Sequence, residues 1–167
     1  MTTSIRLAAG LVAAALAFPA AAGAAEISRT PNAGNALILQ SATIPAGSEL
    51  LFLSGLTPTP ITPGKTDSFE AFGDTKTQTI AVMERIKAAL AEKGYAMSDV
   101  VKMTVFLVGD PKLGGKMDFA GMNEAYKMYF GSASNKNLVT RSTIQVAALA
   151  APYYLVEIEA TAAKAPK

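Results

Sequence analysis

The chain has 167 residues with a formal net charge of +2 and contains no histidine, cysteine or tryptophan. Those absences remove the commonest general base, the thiolate nucleophile and most transition-metal ligands, and with cysteine go structural disulfides and lipid attachment through sulfur. Lysines and arginines are scattered along the chain, so no polyanion footprint is present and no nucleic-acid partner is expected.

Met1 to Arg6 carries one positive charge and is followed by an alanine-rich apolar run, Leu7 to Ala22. This reads as a secretory signal peptide over 1–24, with Ala22 and Ala24 supplying the small residues before the cut and Ala25 or a close neighbour as the mature N-terminus. The run falls short of the ~20 apolar residues a spanning helix needs. No other segment could cross a bilayer, so the expectation is an exported, periplasmic protein without a membrane partner. What remains, 25–167, is one domain in size, with its core over about 36–162.

After a polar lead-in, Ala36–Gln40 and Leu50–Leu56 read as two strands joined around Pro45, Ala46 and Gly47, a first hairpin. Thr57–Asp74 is rich in proline and glycine and is expected to be an irregular surface loop near the mouth of a site. Asp74 or Thr75 can cap a helix that runs to about Lys93, with Ile80, Met83, Ile86 and Leu90 on its apolar face and Gly94 as its stop. Ser98–Val108 predicts a central strand, Gly109–Lys116 a loop, and Met117–Phe130 a second helix with Phe119, Met122, Tyr126 and Tyr129 on one stripe. The aromatic residues and methionines of the helices read as core filler.

Two closing strands follow. Period two places Ile144 and Val146 opposite Arg141, Thr143 and Gln145, and Val156 and Ile158 opposite Glu157 and Glu159. The link through Ala148 to Pro152 is short enough for a hairpin, which would set Arg141 within reach of both glutamates on a shared face. The order is ββαβαββ, an α+β fold with both helices on one sheet face. The other face, expected to carry Leu53, Phe106 and Leu155, should meet another subunit in a closed oligomer.

The run RSTIQVAALAAPYYLVEIE resembles the C-terminal signature of the reactive intermediate deaminase (Rid, YjgF) family. IPAGSELLFLSG, DVVKMTVFLVGD and DFAGMNEAYKMYF extend the resemblance over most of the domain. It implies a chorismate-mutase-like fold with a mixed sheet, a homotrimer with sites between subunits, no cofactor and no metal. The implied activity is hydrolysis of small imine or enamine acids to 2-keto acids and ammonia. Arg141 would clamp the substrate carboxylate and Glu157 would orient or activate water, these two forming the catalytic pair. Ser54, Gly55, Asn123 and Thr143 match the remaining substrate-binding positions.

This sequence departs from the family pattern at Gln40, which stands where a tyrosine is usual, and at Leu56, which replaces a glutamine. Val139 and Thr143 depart as well. A non-catalytic binder of small carboxylates on the same fold is the alternative. Ribonuclease activity, attributed to some relatives, finds neither histidine nor a basic stripe here.

Overall fold

The computed structural model describes residues 25–167, so the expected leader lies outside the described residues. The described chain opens with an antiparallel hairpin of β1 (Ser28–Pro31) and β2 (Leu39–Thr43). Arg29 of β1 donates through Nη2 to the carbonyls of Ser98 and Val100, both at 3.0 Å, and so fixes this hairpin to the body. β3 (Glu49–Leu56) was expected to pair with the strand before it, but it pairs with the C-terminal strand, β6 (Val156–Lys164). The reason is that β2 already spends its backbone groups on β1, while its Leu39 N–H donates to Val139 at 2.9 Å.

The proline-rich segment after β3 is irregular apart from α1 (Phe69–Phe72), a single turn capped by Ser68. Phe72 is buried and meets Tyr154 edge to face at 5.1 Å. The segment is tied down at Thr57, whose carbonyl accepts from Arg85, and at Ile61, whose N–H donates to Ala71 at 2.7 Å.

α2 (Thr75–Glu92) starts where the sequence places it, with the Asp74 carboxylate accepting from the Thr77 N–H at 2.8 Å. It ends before Gly94, which takes the left-handed conformation (φ 75°) that a side chain would resist. Val82, Met83, Ile86 and Leu90 form its buried stripe, and Ile80 sits half-buried at the margin.

β4 (Val100–Val108) and β5 (Thr140–Val146) are parallel, because the connection between them is the crossover helix α3 (Phe119–Tyr129). The sheet order is β3–β6–β4–β5, so β4 stands between the two closing strands. The expected hairpin of β5 and β6 therefore does not form. The link between them carries the chain across β4 to its far edge, held by Gln78. That fully buried amide donates to the carbonyls of Gly73 (3.1 Å) and Tyr153 (3.0 Å) and accepts from the Leu155 N–H (2.8 Å).

Cross-strand pairs Met103–Ala160, Val105–Ile158 and Leu107–Val156 line the helix side of the sheet and are buried against α2 and α3. Full burial of such side chains contributes about 1.5–3 kcal/mol each, so this layer dominates the stability of the domain. Leu155 belongs to this core and Leu53 packs on it, contrary to their expected place on the open face. The apolar groups that the open face and its edges do expose are Phe52 (70% accessible), Ile144 (47%) and Leu50 (46%). The result is an α+β domain with a mixed sheet and helices on one side. No described helix is long and apolar enough to cross a membrane.

Candidate active site

Arg141 pairs in register with Met103, and Thr143 with Val105, so the arginine, Thr143 and Gln145 point to the helix side. Glu157 pairs with Phe106 and Glu159 with Thr104, between the buried positions Val156, Ile158 and Ala160. Both glutamates thus lie on the open side. Arg141 and the glutamates occupy opposite faces with β4 between their strands, which corrects the expectation that they share a side. The error lies in β5: its apolar Ile144 is outward, and the inward place is filled by the arginine.

The guanidinium of Arg141 is half-buried against α3. Nη2 donates to Asn123 Oδ1 at 2.7 Å, Nη1 approaches Met122 Sδ at 3.7 Å, and the cation lies 4.3 Å from the centre of the Tyr126 ring. Phe119 stands farther out, at 5.9 Å. No carboxylate among the described residues forms an ion pair with Arg141. Burial lowers its pKa from the ordinary guanidinium value, with Tyr126 acting in the opposite sense, and a guanidinium remains charged in either case. Burial in turn raises the pKa of the Tyr126 phenol.

Thr143 Oγ1 is buried on the same strand without a hydrogen-bond partner among the described residues. Gln145 clamps the loop before α3, accepting from the Met117 N–H at 3.0 Å and donating to the Gly115 carbonyl at 2.9 Å.

Glu157 lies over Gly55, apart from this cluster. The β3–β6 register shifts between Leu53 and Leu56; beside this bulge Ser54 is exposed, and Gly55 lies under the Glu157 side chain. A Cβ on Gly55 would stand 2.8 Å from the Glu157 carboxyl carbon, so the close approach requires glycine. Glu157 has no cation within ion-pairing distance among the described residues. Gln40 is exposed on β2, whereas Leu56 packs against the core.

The candidate residues of one chain therefore fall into two separate groups, Arg141, Asn123 and Thr143 on the helix side and Glu157 over Gly55, with Ser54 next to it in sequence, on the open side. Met122 and Tyr126, read from the sequence only as core, also hold the guanidinium. The signal was available: positions 119, 122, 123 and 126 fall at i, i+3, i+4 and i+7, one face of a helix. A groove of about 580 Å³ between α2 and α3 is lined by Glu84, Lys87, Tyr95, Met97, Met128 and Tyr129 among others and includes none of the candidate residues.

Residues 40–164 match the Endoribonuclease L-PSP family. A RutC family protein of Pyrococcus horikoshii is 40% identical over 139 residues, which span 83% of this chain and 98% of the relative. TdcF of Escherichia coli, provisionally named a reactive intermediate deaminase, is 36% identical over 91 residues, 54% of this chain and 64% of that protein. The crystal structure of E. coli TdcF with bound serine superposes with a TM-score of 0.56 at 33% identity, covering 72% of this chain and 84% of TdcF. A Thermotoga maritima structure described as an endoribonuclease superposes at 0.53 with 29% identity, over 81% and 92% of the two chains. Matched over most of its length by the family and by these relatives, the chain belongs to the Endoribonuclease L-PSP family, which includes the RutC and YjgF (Rid) proteins.

Proposed function

We propose that this protein binds a small 2-imino or enamine acid and hydrolyses its C=N bond, releasing a 2-keto acid and ammonia. The observation that carries this reading is a half-buried guanidinium surrounded by neutral groups, with no acidic partner among the described residues. A cation so placed gains most from an incoming carboxylate, which its planar fork can bind through two charge-assisted hydrogen bonds.

In this reading Arg141 fixes the carboxylate and thereby the reacting carbon beside it. Glu157, without a cationic partner among the described residues, holds a water molecule for attack, and Thr143 Oγ1 offers an unspent hydrogen bond. Water adds to the imine carbon, a proton passes to nitrogen, and the carbinolamine collapses to the ketone and ammonia. An imine is already electrophilic, so proximity and orientation supply most of the acceleration.

Because the two groups lie on opposite faces, a complete site needs a second copy whose open face meets the β5 edge of the first. A homotrimer with three such clefts satisfies this closure. The TdcF structure with serine supports a small amino-acid-like ligand for this fold. The apolar run before Ala25 supports export to the periplasm, and the mass of the mature protein recovered from that compartment tests it.

The test is loss of an imine generated in situ by an amino acid oxidase, followed by trapping with semicarbazide. The wild-type protein should accelerate loss over buffer and Arg141→Ala should not. A non-catalytic carboxylate binder is the second reading, favoured by Leu56 being turned into the core and Gln40 standing exposed. Ligand binding without acceleration would select it.

A further inference from the structure

Four side chains of α3 surround the Arg141 guanidinium, and none carries a charge: Phe119, Met122, Asn123 and Tyr126. A guanidinium has only donors, so the atom Asn123 presents at 2.7 Å is its carbonyl oxygen. We propose that Asn123 is a positioning residue: it fixes the rotation of the Arg141 guanidinium while leaving its charge unspent, so that the cradle selects an anionic ligand through its own neutrality. This inference rests on the carboxylate-clamp reading of Arg141 and assigns Asn123 a task other than touching the substrate.

The physical argument is a comparison of acceptors. An aspartate at the same place would pair with the guanidinium by a charge-assisted bond, and every ligand carboxylate would then have to displace it. A neutral amide accepts one hydrogen bond and leaves the Coulombic attraction for the ligand. The Tyr126 ring on one face of the guanidinium fixes its plane in the same charge-neutral way. Of the titratable groups, Arg141 bonds Asn123 directly and Tyr126 lies against Arg141. The neighbouring Glu124 is turned away to Lys76 at 2.8 Å.

Two variants and two readouts test this on the full-length protein. In ligand-free wild type, nitrogen NMR should show restricted rotation of the Arg141 guanidinium, and Asn123→Ala should release it. By calorimetry the wild type should bind pyruvate but not pyruvamide, its uncharged counterpart. Asn123→Asp should lower pyruvate affinity about tenfold or more at neutral pH, with a melting temperature equal to or above wild type. The introduced carboxyl beside a guanidinium has a depressed pKa, so affinity should return only as the pH falls below about 4.

Pyruvate binding by wild type with unchanged affinity in Asn123→Asp overturns the positioning role alone. An affinity loss in Asn123→Ala without release of the ligand-free guanidinium also overturns it, in favour of direct substrate contact. Absence of pyruvate binding by the wild type overturns the clamp itself.

Discussion

At Gly55 the absence of one carbon decides where a carboxylate stands. Glu157 lies over this glycine, and an added Cβ would meet its carboxyl carbon at 2.8 Å and its Cγ at 3.0 Å. The obstructing atoms belong to a flexible side chain, so Gly55→Ala should displace the carboxylate without unfolding the protein. Under the proposed mechanism, Gly55→Ala and Glu157→Gln should both lower kcat about 10²-fold, the low end of general acid–base contributions, with little change in pyruvate affinity. Equal losses of kcat and affinity would assign Glu157 a structural role instead. Glu157 was legible from the alternation of its strand, and Ser54 and Gly55 only through the family resemblance. Their grouping was not, since it depends on a bulge that shifts the register between Leu53 and Leu56.

At the scale of elements, caps and stripes carried most of what could be read in advance. Asp74 and Gly94 bracket α2 as expected, and β4 is central as its β-branched run suggested. Strand neighbours were not legible, because period two fixes which residues share a face of one strand but not which strand lies beside it. The α3 crossover decided that for β5, and the apolar-inward rule failed there because α3 offers the guanidinium an amide oxygen and an aromatic face. Gln78 is the residue that holds the resulting route of the chain, satisfying three backbone groups at once.

Gln78→Ala leaves Leu155 N–H and the Tyr153 carbonyl without their partner and should cost about 1–3 kcal/mol in urea unfolding. Gln78→Glu retains an acceptor for Leu155 but buries a charge, and it should cost at least as much. The Asp74 cap adds a pH dependence of defined sign. Hydrogen bonds from Thr77 hold its pKa below the ordinary aspartate value. Its contribution is therefore present above the unfolded-state pKa and is lost as the pH falls through the folded-state pKa. Acid unfolding of Asp74→Asn should be correspondingly less steep than that of wild type.

For the molecule as a whole, the distribution of exposed apolar surface and the division of the site point to the same arrangement. The helices cover one side of the sheet, while Phe52 and Leu50 of β3 and Ile144 of β5 stay accessible on the single chain. Ile144 lies on the strand that bears Arg141, and Phe52 on the strand that bears Ser54 and Gly55. An interface burying these groups would bring the helix-side cradle of one copy toward the open-side glutamate of the next. Light scattering of the wild type should give three times the monomer mass. Phe52→Lys places a charge at the centre of the proposed contact, where an unpaired buried charge costs several kcal/mol, and should yield monomers. Those monomers should keep the wild-type circular dichroism spectrum, because Phe52 is 70% accessible in the isolated chain and adds little to its core. They should lose imine hydrolysis although Arg141 and Glu157 are untouched, and Phe52→Leu should retain both assembly and turnover. Turnover by a folded monomer would mean that one chain suffices, and the division of the site across the sheet would then have no functional consequence.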